Sequence, residues 1–219
     1  MAFPTPREAI SFSIDRWEGK WQDDAADSGN YAHAQDGSVR LIGTMRGVTP
    51  DAYADYKGID PGDVTVAMLK AVTADLAADI AMKNYFNRYA FHTLLWCPLV
   101  DIAFDASFLS GPGRGIRMLQ ECVGASVDGG IGPMTREALE LYLEATDIGD
   151  ACNRLADIRN AFYMSISQPG TKNAKFRQGW LNRGNWARPA NPEWWSRWKG
   201  WTMPHPAGSS KPTGLLPKS

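Results

Sequence analysis

Two carboxylates near the start of the chain, Glu18 and Asp27, are nine residues apart and could act together in acid/base chemistry. Hydrolysis of a glycosidic bond usually needs such a pair, one group to protonate the leaving oxygen and one to act as base or nucleophile. Glu18 follows an apolar repeat of Ile10, Ile14 and Trp17, which predicts one buried face of a helix. Most glutamates at helix ends are simply solvated, so position alone does not make Glu18 catalytic.

The predicted helix has clear start and end signals. The run Thr5-Pro6-Arg7-Glu8 is typical of a capping box with proline at the first helical position, and Gly19 is expected to end the helix in the left-handed conformation. The helix dipole is negative at this end, and Trp17 and Trp21 can exclude water, so both effects favour a protonated Glu18. A general acid needs this protonated form near neutral pH.

Composition describes an ordinary globular protein of 219 residues, with 44% hydrophobic and 21% charged residues, long enough for one large domain or two small ones. Nine tryptophans are many for this length and are compatible with stacking on sugars. Seven basic residues against the single acid Glu193 lie between Lys172 and Lys199, which favours an anionic partner such as cell-wall polymer, phosphate-bearing lipid or nucleic acid.

Other chemistries find little support in the residue pattern. The three cysteines are widely spaced and form no C-x-x-C pair, so free thiols are expected rather than a disulfide or zinc site. The three histidines are scattered, no glycine loop of the phosphate-binding type is present, and we expect no metal or cofactor. No apolar run has the length of a signal peptide or a membrane span, which predicts synthesis in the cytoplasm without an export signal.

The fold is predicted to be mainly α, with one small β-hairpin near the candidate acid. The hairpin turn is placed at Asp36-Gly37. A long helix is expected from Asp63 to about Phe86, and a disordered tail after Pro204. Further helices are predicted at 5–18, from Thr49-Pro50, and at 98–109, 114–123, 134–145, 149–167 and 173–182.

Several short motifs in combination resemble the glycoside hydrolase 108 family, which comprises lysozyme-like N-acetylmuramidases, many of them phage endolysins. The first half contributes Glu18-Gly19-x-Trp21, Asp27-x-Gly29 and Gly43-Thr44-Met45-Arg46-Gly47-Val48-Thr49. The second half is similar to the predicted peptidoglycan-binding region that accompanies this catalytic domain. Its motifs are Phe104-Asp105, Ser110-Gly111-Pro112-Gly113-Arg114, Leu119-Gln120 and Val127-Asp128-Gly129-Gly130-Ile131-Gly132-Pro133-Met134-Thr135.

The resemblance implies roles for particular residues. Glu18 would protonate the glycosidic oxygen between N-acetylmuramic acid and N-acetylglucosamine, Asp27 would be the second carboxylate, and Thr44 would position a water. From the residues alone, Asp27 could equally cap a turn with Ser28-Gly29, and Thr44 could be an ordinary strand residue. Trp21 replaces the family's tyrosine and keeps a flat apolar face. Lys20 replaces a glycine and, as a cation, opposes protonation of Glu18.

Three further residues keep two interpretations each. Tyr85 is either a core residue or part of a sugar platform, and Asp128 either contacts glycan or only shapes a turn between helices. Asp105 on an apolar helix is expected to fix interdomain packing through hydrogen bonds rather than to act chemically.

The resemblance also implies an organisation and a setting. We expect a lysozyme-like catalytic region at 1–96, a helical peptidoglycan-binding region at 97–185, and an aromatic, basic segment with its tail at 186–219. The protein would be a monomer that digests host peptidoglycan after a holin opens the inner membrane, with residues 172–201 assisting surface attachment. The alternatives are a lytic transglycosylase, a non-catalytic wall-binding structural protein, and a nucleic-acid-binding role for the basic segment.

Overall fold

The computed structural model describes residues 2–19 and 21–204 and is mainly α-helical with two small antiparallel sheets. The predicted fold class, mainly α with a small hairpin, is confirmed. Lys20 and the predicted disordered tail after Pro204 lie outside the described residues.

Within those residues the chain forms ten α-helices, and proline occupies the first turn of six of them, where its missing N–H leaves no helical hydrogen bond unmade. The helices are α1 (Pro6–Trp17), α2 (Pro50–Lys57), α3 (Val66–Lys70), α4 (Ala74–Ala81), α5 (Pro98–Ser110), α6 (Pro112–Val123), α7 (Pro133–Ala145), α8 (Ile148–Ile166), α9 (Arg177–Trp186) and α10 (Pro192–Trp195).

Four short strands lie between α1 and α2. They are β1 (Trp21–Gln22), β2 (Tyr31–His33), β3 (Val39–Leu41) and β4 (Thr44–Met45). β2 and β3 form the predicted hairpin, with Gly37 in the left-handed conformation in its turn. β1 pairs with β4, so that Trp21 lies opposite Met45 and Gln22 opposite Thr44. This second pairing joins the end of α1 to the Gly43–Thr49 motif.

α1 begins as predicted and ends differently. Thr5 and Glu8 form a complete capping box, in which the Thr5 N–H donates to Glu8 Oε2 over 2.7 Å. At the other end Glu18 itself adopts an extended conformation, with φ −83° and ψ 111°, and Gly19 does not have a positive φ. The prediction that a left-handed Gly19 ends the helix is therefore wrong.

The single long helix predicted from Asp63 to Phe86 is also wrong. α3 and α4 are separate helices, because Thr65 and Thr73 each cap a helix start with their side-chain oxygens. The segment Met82–Asn87 then continues α4 as a π-helix. Such π-helical turns are rare and are often found at functional sites.

α5 forms the centre of the fold. Nine of its 13 residues are buried, and the helix packs against α1, α6 and α8. α6 approaches α5 closely at Gly115, where a Cβ would stand 2.5 Å from the Ala103 carbonyl oxygen. α5 thus connects the amino-terminal helix to the helices of the second half.

The tryptophan-rich end of the described chain contributes to the core. Trp194, Trp198 and Trp201 are buried, and the Trp198 ring packs 5.9 Å from that of Trp96. The Trp198 indole N–H donates to Asp101 on α5 over 3.3 Å. These three tryptophan rings are therefore covered by the protein and are not available to an external surface.

Candidate active site

Glu18 lies at the junction between α1 and the small β region. Its backbone N–H completes the last turn of α1 by donating to the Ile14 carbonyl over 2.9 Å. Its side chain is only 16% exposed. The carboxyl group is therefore mostly covered by the protein rather than in bulk solvent.

The two oxygens of the Glu18 carboxyl group have different neighbours. Oε1 accepts a hydrogen bond of 2.6 Å from Nη1 of Arg183 on α9. Oε2 faces Gly47, where an added Cβ would stand 2.9 Å from Oε2 and 2.9 Å from Cε1 of Phe108. Gly47 has a φ of +74°, in a tight turn closed by hydrogen bonds between Met45 and Val48. This turn brings the Gly43–Thr49 motif against the candidate acid.

Arg183 connects Glu18 to a buried charge network. Its guanidinium group also donates to Asp105 over 2.7–3.2 Å and to Ser13 over 3.3 Å. Asp105 accepts a further bond of 2.6 Å from Arg159 on α8. Asp105 thus joins α5 to α8 and α9 and to Ser13 on α1, which confirms that it fixes packing between the two halves.

The pKa values within this network follow from burial and charge together. Burial alone would raise the pKa of Asp105, but the guanidinium groups of Arg183 and Arg159 outweigh it and hold that pKa below its ordinary value. Burial alone would lower the pKa of Arg183, whereas the carboxylates of Asp105 and Glu18 raise it. Asp105 and Arg183 therefore stay ionised across the physiological range.

Asp27 and Thr44 lie at the two ends of one hydrogen-bond chain. Asp27 Oδ1 accepts from the Gly29 N–H over 2.9 Å, and Oδ2 accepts from the Gln22 side-chain amide over 2.8 Å. Gln22 in turn accepts from the buried Asn30 over 2.9 Å, and the Thr44 hydroxyl donates to Asn30. This chain fixes the β1–β4 region, and it leaves neither Asp27 oxygen without a donor.

Tyr85 lies on the π-helix and contacts Phe108, which lies beside Gly47 together with Glu18. The rings of Tyr85 and Phe108 meet edge to face, with centroids 5.5 Å apart. Burial raises the pKa of the Tyr85 phenol, and the nearby charges, that of Glu18 among them, raise it further. Tyr85 also lines a groove of about 410 Å³ between α2 and the π-helix, together with Asp55 and Arg88.

The structure places Trp21 against Gly43 in the β region and Asp128 in the turn before α7. The Trp21 indole lies on Gly43, and Lys70 stands 4.9 Å from its ring centroid. Asp128 Oδ1 accepts from the Gly130 N–H over 2.8 Å and from the Gln120 side-chain amide over 2.7 Å. These two bonds lower the pKa of Asp128 and shape the turn before α7.

Sequence patterns did not reveal the residues that are far from Glu18 in sequence but contact it in the folded protein. Arg183 lies in the basic segment between Lys172 and Lys199, and nothing in its local pattern distinguishes it from the other cations. Gly47 lies inside the Gly43–Thr49 motif, but only its close approach to Glu18 explains why glycine is needed there.

Two features bear on ligands and membranes. No group of three or more potential metal-ligating side chains occurs at 2–19 and 21–204. Over the same residues, the helices are too short or too polar to cross a lipid bilayer.

The fold and the site together define a mainly α protein with a half-buried glutamate between an amino-terminal helix and a small β region. Comparison with known families adds that residues 12–111 match the profile described as "Glycosyl hydrolase 108" and residues 114–185 that described as "Predicted Peptidoglycan domain". The two profile matches are those expected from the motifs, which confirms the resemblance. The two regions support a glycoside hydrolase that acts on peptidoglycan.

Among solved structures, this chain is similar to one described as "Structure of Brucella abortus SagA". The two are 27% identical with a TM-score of 0.63, over 86% of this chain and 94% of that chain. No curated protein matches the sequence significantly.

Proposed function

We propose that the protein is an N-acetylmuramidase that hydrolyses the β-1,4 bond between N-acetylmuramic acid and N-acetylglucosamine in peptidoglycan. The observation that carries the proposal is the Glu18 carboxyl group, held half-buried between Arg183 and the Gly47 turn. Its place in the matched glycosyl hydrolase region supports the same reaction.

In this reaction Glu18 donates its proton to the glycosidic oxygen as the bond from that oxygen to the anomeric carbon breaks. The leaving sugar departs as an alcohol. Water then supplies the hydroxyl group at the anomeric carbon, and its remaining proton returns to a carboxylate, so that the enzyme is restored.

Asp27 is the proposed second carboxylate and Thr44 the residue that positions the water. A separation of about 5 Å between the two carboxyl groups supports a retaining route, whereas about 6.5–9.5 Å leaves space for water and inversion. Trp21, Tyr85 and Asp128 are proposed to contact the glycan, Tyr85 through the groove that it lines.

A lytic transglycosylase is the second candidate. It needs a single acid and releases anhydro-sugars. The observation in its favour is that both carboxylate oxygens of Asp27 already accept hydrogen bonds within the β region. A non-catalytic wall-binding protein is the third candidate, for which Glu18 has no chemical role.

One experiment separates these candidates. Purified peptidoglycan is digested with wild-type protein, with Glu18→Gln and with Asp15→Asn, which changes an exposed carboxylate on the same helix. We expect new reducing ends from the wild type and Asp15→Asn and none from Glu18→Gln. Anhydro products by mass spectrometry would instead indicate the transglycosylase, and wild-type lysis by Glu18→Gln would contradict the enzyme proposal.

The wider setting is also a proposal. The protein would be a phage or prophage endolysin that reaches the wall after holin action, with a catalytic region at 1–96 and a wall-binding region at 97–185. Attachment through 172–201 would depend on Lys172, Arg177 and Lys199. The other basic residues of that segment are occupied within the fold, since Lys175 pairs with Asp24, Arg188 with Asp157, Arg183 with Glu18 and Asp105, and Arg197 stacks on Phe12.

A further inference from the structure

We propose that Arg183 is a positioning residue for Glu18, so that the predicted peptidoglycan domain completes the catalytic centre of the glycosyl hydrolase region. This inference rests on the proposed function of Glu18 as general acid. It follows from an ion pair that crosses between the two matched regions, with Glu18 in residues 12–111 and Arg183 in residues 114–185.

The direction of the Arg183 guanidinium group is fixed before it reaches Glu18. Nε and Nη2 both donate to Asp105, which is the two-point geometry that holds a planar guanidinium in one orientation. Only Nη1 then remains directed at Glu18, and the Arg183 side chain is 5% exposed.

In this arrangement the two carboxyl oxygens of Glu18 have different roles. Arg183 holds Oε1, so Oε2 on the side of Gly47 and Phe108 is the oxygen available to carry and deliver a proton. A fixed carboxyl group removes the cost of orienting it during the reaction. When the proton leaves Oε2, the negative charge that develops on the carboxyl group already has its cationic partner in place.

The alternative is that Arg183 serves only to compensate the buried charge of Asp105. Arg159 is the matched control for that alternative, because it is also buried, also pairs with Asp105, and makes its other hydrogen bond to Tyr163 rather than to Glu18. Loss of either arginine removes one cation from the same aspartate, whereas only loss of Arg183 frees the Glu18 side chain.

The test compares Arg183→Gln, Arg183→Lys and Arg159→Gln in the full chain, with solubilised glycan strands as substrate. For each variant kcat, KM and the melting temperature are measured. We expect Arg183→Gln to lower kcat about 100-fold with KM within about twofold, since a misplaced catalytic group or a lost charge partner costs roughly this much. Arg183→Lys should give an intermediate kcat, and Arg159→Gln should lower the melting temperature while keeping kcat within about threefold.

Equal loss of kcat in Arg183→Gln and Arg159→Gln would overturn the inference, because charge compensation alone would then explain it. If Arg183→Gln does not fold, the kcat of Arg183→Lys is measured below the melting temperature of that variant. A wild-type kcat for Arg183→Lys would then overturn the inference. Glu18→Gln is measured alongside. An active Glu18→Gln would refute the proposed function, whereas an inactive Glu18→Gln beside fully active Arg183 variants would refute only the role of Arg183.

Discussion

Gly47 lies so close to Glu18 that a single added methyl group would stand 2.9 Å from Oε2. The turn that carries Gly47 therefore forms a wall of the site on the side opposite Arg183. A larger residue there must push the carboxyl group away from its place.

Gly47→Ala is expected to reduce activity more than its effect on stability explains. The substitution strains a left-handed residue, which costs roughly 1–2 kcal/mol, and it also displaces the Glu18 carboxyl group. The control is Gly58→Ala, which has a similar φ of +70° but no atom within 4 Å of the added Cβ. Both variants should lose a comparable amount of stability by thermal unfolding, whereas only Gly47→Ala should lose about tenfold or more in kcat. Equal activity in the two variants would show that the Gly47 contact is irrelevant to catalysis.

Asp27→Asn tests whether this residue is a second catalytic carboxylate or a turn residue. Loss of a general base lowers the rate by about 100-fold or more, so a catalytic Asp27 should show that loss in a reducing-end assay. The control is Asp24→Asn, since the Asp24 carboxylate also accepts from a backbone N–H two residues on, and its other hydrogen bond is to Lys175 rather than to the chain that ends at Thr44. Near-normal turnover by Asp27→Asn would restrict Asp27 to shaping the β region.

Asp101 predicts a pH dependence of stability. Burial raises its pKa to about 6, although the Arg197 cation acts in the opposite direction. The folded state therefore binds this proton more tightly than the unfolded state, so the stability that the protonated carboxyl group contributes is lost as pH rises from about 4 through 6. The difference amounts to at most about 3 kcal/mol.

Asp101→Asn should accordingly be more stable relative to wild type at pH 7 than at pH 4. The measurement is the difference in melting temperature between the two proteins across that range. Asp23→Asn, which removes an exposed carboxylate, serves as the control. A difference that stays constant with pH for Asp101→Asn would exclude this contribution of Asp101.

Trp198→Ala is expected to destabilise the fold rather than to weaken wall attachment directly. The Trp198 side chain is fully buried, and removal of a buried tryptophan typically costs about 3–5 kcal/mol. Thermal unfolding and peptidoglycan pull-down should be measured together, with Ser196→Ala, at an exposed position nearby, as the control. An unchanged melting temperature combined with lost binding would contradict the core role.

Local sequence patterns predicted the parts of the fold that local physics determines. The Thr5 capping box, the Asp36-Gly37 hairpin turn and the apolar α5 were all recognisable, because the residues that stabilise them are neighbours in sequence. The break between α3 and α4 was missed, since the apolar spacing continues through it and only the threonine caps at Thr65 and Thr73 mark it.

The candidate site also contains features that local sequence patterns predict and features that they do not. Glu18 and the Gly43–Thr49 motif were found from short patterns, whereas the ion pair with Arg183 was not. Basic residues near the carboxyl end look alike in sequence, and burial alone separates Arg183 from the exposed Lys172 and Lys199. Such a pairing is a property of tertiary structure.

The ion pair also places a constraint on biosynthesis. Arg183 follows Glu18 by 165 positions, so at about 5–20 residues per second a ribosome needs roughly 8–33 s after making the acid to make its partner. During that interval the nascent chain can form α1 and the hairpin but cannot close the site. The proposed catalytic centre is therefore complete only after residue 183 has been made.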